Sequence, residues 1–223
     1  MRKTFLMSIA LLTILGCSSV ALADTWAEVG DAGDLTGTAQ TPTGANPLTS
    51  ITGTIGSSTD ADMYLIFIST PAGFSATTVG TPGTLVDTQL FLFNAAGLGV
   101  YFCDDADGLT LRSTLPAGHA LSPPSAGLYY LVVTGFDRDP TSAAGAIFPD
   151  TFPGVFGPTG PGGGSPITGY DGTTGTGTYT INLTGAGFAG GAAAVPEPAT
   201  ILLLGSGLAG VAAKMRQRRK SRS

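Results

Sequence analysis

Asp104-Asp105-Ala106-Asp107-Gly108 places three carboxylates within one short turn. Carboxylate oxygens are hard ligands, and Gly108 allows the tight backbone that converging ligands need. Calcium takes six to eight such oxygens in flexible loops. The spacing therefore points to a calcium site at Asp104, Asp105 and Asp107. Asp60, Asp62 and Asp87 flank strand-like segments and could supply further oxygens. The string matches an EF-hand loop only in part and no helical pattern flanks it, so a solvated acidic turn is the competing reading. Other chemistry is sparse. His119 is the single histidine, and it follows the turn-forming Pro116-Ala117-Gly118, which predicts exposure. One histidine rules out a His-based metal cluster. Any Ser-His-Asp or Cys-His arrangement would have to pass through it, and no nucleophile motif accompanies it. Asp pairs of the glycosidase type cannot be singled out among so many strand-flanking aspartates. Asp137-Arg138-Asp139-Pro140 reads as a loop, with or without an ion pair of little worth. Trp26 and the six tyrosines could stack on sugars, but core packing explains such residues more commonly. The expectation is a non-enzymatic protein with no cofactor beyond possible calcium; the alternative is a calcium- or carbohydrate-binding module.

Charge narrows the partners. The chain has ten basic and fifteen acidic residues, but eight of the basic ones lie in its two ends. The body keeps Arg112 and Arg138 against fourteen acids, a net charge of −12. A surface this acidic repels nucleic acid and attracts cations, which excludes DNA or RNA as a partner. Of the two cysteines, Cys17 lies in the N-terminal apolar segment and Cys103 in the strand-like Val100-Tyr101-Phe102-Cys103. Loss of the first would leave one thiol and no internal disulfide.

The elements that must position these residues read as strands. Ile51–Ile55, Met63–Ser69, Phe74–Val79, Thr88–Asn94, Leu98–Cys103, Leu128–Thr134 and Tyr179–Leu183 are short, apolar or alternating segments. Met63–Ser69 is apolar enough to be buried on both faces. Turn signals such as Pro71-Ala72-Gly73, Pro82-Gly83, Ala96-Gly97 and Asp107-Gly108 separate them. With 34 glycines and 15 prolines in 223 residues, long helices are disfavoured. An all-β fold follows, an antiparallel β-sandwich or jelly roll spanning 24–184. Residues 139–177 form a Gly/Pro-rich insertion with little periodicity. Its few large apolar residues, Phe148, Phe152, Val155, Phe156 and Ile167, suggest partial docking on the sandwich. Residues 185–194 read as a small-residue linker.

Three segments of the body carry a resemblance: Asp60-Ala61-Asp62-Met63-Tyr64, Asp87-Thr88-Gln89-Leu90-Phe91-Leu92-Phe93-Asn94-Ala95-Ala96-Gly97, and Gly127-Leu128-Tyr129-Tyr130-Leu131-Val132-Val133. Their rhythm resembles bacterial pre-peptidase C-terminal domains, from about Ile51 to Gly135 with Tyr179–Leu183 as a last strand. The resemblance implies a secreted β-sandwich of the kind often appended to extracellular proteases. The long insertion and the lack of an attached protease depart from that pattern and favour a stand-alone surface protein.

Both ends read as processing signals. Met1-Arg2-Lys3 is a basic start, Phe5–Gly16 an apolar stretch, and Ala21-Leu22-Ala23 a small-x-small cleavage site. Residues 1–23 are thus expected to form a signal helix that signal peptidase removes, leaving Asp24 first. Ile14-Leu15-Gly16-Cys17 resembles a lipobox, which would instead make a lipoprotein with lipid on Cys17. At the other end, Val195-Pro196-Glu197-Pro198 precedes an uncharged run, 199–213, and a basic cluster from Lys214 to Lys220. As a helix this run rises roughly 22 Å. That is short of a hydrocarbon core of about 30 Å, a gap that snorkelling Lys and Arg can close. The basic end stays in the cytoplasm, so the expectation is a single inner-membrane helix with the body outside. Pro196 and Pro198 hold the motif extended and outside the helix, where a protease can read it. Residues 195–223 resemble the PEP-CTERM sorting signal of Gram-negative, exopolysaccharide-producing bacteria. The resemblance implies cleavage near Val195–Pro198 by an exosortase, a membrane cysteine transpeptidase. It also implies delivery to the cell surface or extracellular matrix, with exopolysaccharide or biofilm as the setting.

Overall fold

A computed structural model describes residues 23–190. The signal helix, Ala21, Cys17, the motif Val195–Pro198, the apolar run 199–213 and the basic tail lie outside the described residues. In chain order the strands are β1 (Asp24–Ala27), β2 (Leu48–Ile55), β3 (Asp62–Ile68), β4 (Ser75–Thr77), β5 (Thr88–Asn94), β6 (Gly99–Cys103) and β7 (Thr114–Leu115). They continue as β8 (Gly127–Gly135), β9 (Arg138–Ser142), β10 (Gly145–Ala146), β11 (Val155–Phe156), β12 (Ile167–Gly172), β13 (Gly177–Thr184) and β14 (Ala186–Phe188). One 3₁₀ turn, Pro71–Gly73, is the sole helical element among the described residues. No helix there is long and apolar enough to cross a membrane.

Two sheets pack face to face. The first runs β1-β2-β13-β4-β7 and the second β11-β6-β5-β8-β3-β14. Their inner faces supply one core, with Leu48, Ile51, Ile55, Tyr179, Ile181 and Leu183 from the first sheet. Tyr64, Ile66, Leu90, Leu92, Leu131 and Val133 face them from the second. Alternation is clean in β13, where Tyr179, Ile181 and Leu183 are buried while Asn182 and Thr184 are exposed. That is the mark of a sheet with one face in water. In β5, Leu90-Phe91-Leu92-Phe93 is buried throughout. Leu90 and Leu92 enter the inner core, while Phe91 and Phe93 enter a second core on the outer face. The β-sandwich is antiparallel with one exception: β1 joins the edge of β2 in parallel, Trp26 opposite Ile51.

The second core explains the insertion. Residues 139–177 are not a structureless loop. They contain β10, β11, β12 and most of β9, and β10-β9-β12 form a third, three-stranded sheet. Ile147, Phe148 and Ile167 pack on Met63, Phe91, Phe93, Phe102 and Val132. Phe148 sits at the centre, its ring centroid 5.5, 5.7 and 5.1 Å from those of Phe91, Phe93 and Phe102. The glycines here serve close approach as well as turning. A Cβ on Gly162 or Gly163 would strike the carbonyl oxygens of Gly145 or Pro158. Asp137-Arg138-Asp139-Pro140 leads into this sheet rather than forming a free loop. Arg138 donates to the Gly172 carbonyl at 3.0 Å, lies over the Tyr170 ring and pairs with Asp34 at 3.8 Å.

The domain also ends later than the alternation of Tyr179–Leu183 suggests. The start of the expected linker is β14, which pairs with β3, Ala186 opposite Ile68 and Phe188 opposite Ile66. Phe188 is buried in the inner core. The sandwich therefore runs from Asp24 to Phe188.

Candidate functional site

The register of β5 and β6 gathers an acidic triad at one end of the sandwich. Leu90 pairs with Cys103. Asp87, just before β5, and Asp104-Asp105, just after β6, consequently emerge side by side. One carboxylate oxygen from each of Asp87, Asp104 and Asp105 lies within 4.8 Å of the others. Asp107 is not among them. Its Oδ1 accepts the Leu109 N–H at 2.8 Å, closing its own Asx turn. Asp60 and Asp62 sit elsewhere: Asp60 accepts the Gly56 N–H, and Asp62 belongs to a second acidic group.

Hydroxyls weld the triad's support. Thr78 and Thr88 share a hydroxyl hydrogen bond at 2.6 Å, and the Ser113 N–H donates to Thr78 Oγ1 at 3.0 Å. The Ser113 hydroxyl lies against the carbonyls of Thr88 and Asp104, the latter at 2.6 Å. The return of the β6–β7 loop is thus pinned to the start of β5. The insertion joins in: the Gly154 N–H donates to the Asp105 carbonyl at 2.9 Å.

Among the described residues, two of the three carboxylates keep a buried oxygen without a partner. Asp104 is only 4% exposed, yet its Oδ1 has no hydrogen-bond partner, and the buried Oδ1 of Asp105 has none either. Buried polar atoms without partners are uncommon in folded proteins. Burial, followed by the charges of Asp105, Asp87, Asp139 and Asp137, pushes Asp104 up to about 7. Burial and then Asp105 raise Asp87; burial and then Asp107 raise Asp105. Arg112, in the same loop, gives its guanidinium to the Thr78 and Gly83 carbonyls instead. Leu111, Phe136 and Phe152 complete the walls of a cavity of about 160 Å³ with the three acids. The Phe136 and Phe152 rings meet edge to face at 5.9 Å.

The second acidic group, Glu28, Asp31 and Asp62, has a different character. Glu28 accepts the N–H groups of Ala32 at 2.9 Å and Thr54 at 2.8 Å. Asp62, fully buried, accepts the Tyr179 hydroxyl at 2.5 Å, and Tyr179 is bonded to Tyr64 at 2.6 Å. Burial most of all, then the charges of Glu28, Asp60 and Asp31, push Asp62 up to about 8 against the opposing Tyr179 bond. Asp62 therefore keeps its proton at neutral pH beside Glu28. These acids are largely consumed in joining the N-terminal segment to β2, β3 and β13.

The remaining candidates fall into place. Tyr64, Tyr101, Tyr129 and Tyr179 are core residues rather than sugar platforms. Trp26 is half-buried and donates to Gln40 at 3.0 Å. His119 is half-buried, and its Nδ1 accepts the Leu121 N–H at 3.2 Å. Cys103 is fully buried, which drives its thiol up to about 11. Asp24, the expected mature N-terminus, opens β1. Its carboxylate accepts from Asn46 and Ala45, which holds it below the usual carboxylate range.

Residues 194–219 match the PEP-CTERM protein-sorting motif. No curated protein matches the chain. The motif spans the Pro-Glu-Pro segment, the apolar run and most of the basic cluster. It marks an exported, membrane-anchored precursor addressed to an exosortase.

Proposed function

We propose that this is a non-enzymatic protein of the bacterial envelope or extracellular matrix. Signal peptidase frees its N-terminus at Asp24, and an exosortase then cuts near Val195–Pro198. The β-sandwich goes to the cell surface or the matrix, in contact with exopolysaccharide. The observation that carries this reading is the sorting motif at 194–219 behind an acidic β-domain. The absence of an enzymatic role is supported by the buried thiol of Cys103 and by the single histidine, which faces its own turn. The resemblance of Ile51–Gly135 to pre-peptidase C-terminal domains adds a secreted β-sandwich precedent. Deleting the exosortase gene of the native host tests the reading. The chain should then stay in the inner membrane at a higher mass; unchanged size and location would overturn it.

A second reading, an extracellular module that binds calcium or carbohydrate, is favoured by one observation. The acids at Asp87, Asp104 and Asp105 are held in place while Asp104 and Asp105 each keep a buried oxygen unpartnered.

A further inference from the structure

We infer that Asp87, Asp104 and Asp105 form a site for one divalent cation of the calcium type. The bound ion clamps the insertion to the β5–β6 end of the sandwich. This makes the second reading specific and rests on it; it is independent of sorting.

Three facts converge. The first is geometric. Oxygens within 4.8 Å of one another are no farther apart than ligands on opposite sides of a single calcium ion, about 4.6–5.2 Å. Three carboxylates offer up to six oxygens, enough for most of a calcium shell, with water in the rest. The second is electrostatic. Burying a carboxylate without a partner is costly, so such a group is either protonated or paired. Among the described residues no side-chain cation serves the triad: Arg112 turns to Thr78 and Gly83, and Arg138 to Gly172 and Asp34. A monovalent ion balances one of three charges, whereas a divalent ion balances two. The third is that Asp104, 4% exposed, presents an unpartnered oxygen beside the other two carboxylates. Glu28 receives two backbone N–H groups and Asp62 receives the Tyr179 hydroxyl on Oδ2, so the second group leaves one buried oxygen unpartnered, Oδ1 of Asp62, where the triad leaves two, Oδ1 of Asp104 and Oδ1 of Asp105.

The ligand set has a structural consequence. Asp105 already receives the Gly154 N–H, and β11 pairs with β6, Val155 opposite Cys103. An ion on Asp105 therefore ties the edge strand from the insertion to the start of β5 through Asp87. Phe136 and Phe152 form the apolar side of the cavity.

The processed protein, stripped with EDTA and dialysed, is titrated with Ca²⁺ by calorimetry. The expected result is one saturable site, in the range of about 0.1–1 mM usual for extracellular modules. Asp104→Asn should weaken binding at least tenfold, whereas Asp107→Asn should change it less than twofold. Because removing a buried charge relieves the empty site, Asp104→Asn should also melt higher than the stripped wild type. It should, however, lose the calcium-induced rise in melting temperature and the protection of the 143–154 segment from proteolysis. No saturable binding, binding unaffected by Asp104→Asn, or loss of binding in Asp62→Asn instead would each overturn the assignment. So would a site filled by n-butylamine and not by Ca²⁺. Glycan binding in a protein that shows no saturable Ca²⁺ binding would refute the ion while leaving the binding-module reading intact.

Discussion

Phe148→Ala removes the side chain on which the insertion's docking turns. Phe148 is 6% exposed and touches three aromatic rings of the outer sheet face, those of Phe91, Phe93 and Phe102. Truncating a buried Phe to Ala costs about 3–5 kcal/mol, from lost transfer energy plus the cavity left behind. The upper end applies here, because three rings on a rigid sheet cannot collapse into the void. Against a total stability of about 5–15 kcal/mol the change is large. For a domain of this size it lowers the melting temperature by roughly 6–20 °C. Urea denaturation followed by Trp26 fluorescence measures the cost. Phe152→Ala is the internal control: Phe152 is 50% exposed at the cavity rim, so its loss should cost about 1 kcal/mol or less. A cost below about 1 kcal/mol for Phe148→Ala, with an unchanged denaturant slope, would show that Phe148 does not anchor the insertion. The insertion would then be a passenger on the sandwich and not half of its outer core.

Two further outcomes follow from the buried carboxyl and the last strand. Asp62 releases its proton near 3.8 when unfolded but at about 8 when folded. The stability this proton contributes is complete below about pH 4 and is lost as pH rises through about 8. Asp62→Asn removes that titration while its amide still serves Glu28 and Tyr179; the other ionisable groups facing it are Asp31, Asp60 and Tyr64. Relative to wild type, the variant should gain in urea midpoint between about pH 5 and pH 8, and an equal difference at both would refute the assignment. A chain stopped after Thr184 loses β14, exposes the edge of β3 and should aggregate or melt far lower than one stopped after Gly190. Equal melting of the two would show that β14 contributes nothing.

Much of the sandwich was legible because its strands obey simple patterns. Tyr179–Leu183 alternates since one face meets water, and Thr88–Asn94 was bounded to the residue by its apolar run and flanking turns. The run also hinted at two covered faces, but not at what covers the second. The insertion hides its strands because Thr, Gly and Pro carry little hydrophobic period, and its sheet is set by contacts with Phe91 and Phe102. β14 reads as linker since Ala186 and Gly187 are small, and only Phe188 signals burial. The acidic site was half legible. Asp104 and Asp105 are local neighbours, whereas Asp87 joins through the pairing of Leu90 with Cys103, and Asp107 leaves because it closes its own turn. Asp62 was invisible as a core residue: a buried Asp is rare, and its partners Glu28 and Tyr179 lie 34 residues before it and 117 after it in the chain.

Intact-mass measurement decides whether the two ends are addresses and the β-domain the cargo. The sample is the mature protein isolated from the surface fraction of its native host. The mature chain should begin at Asp24 and end near Val195–Pro198, and so lack Cys17 and any lipid on it. A mature chain that retains residues 199–223, or one carrying a diacylglyceryl group on Cys17, would contradict it.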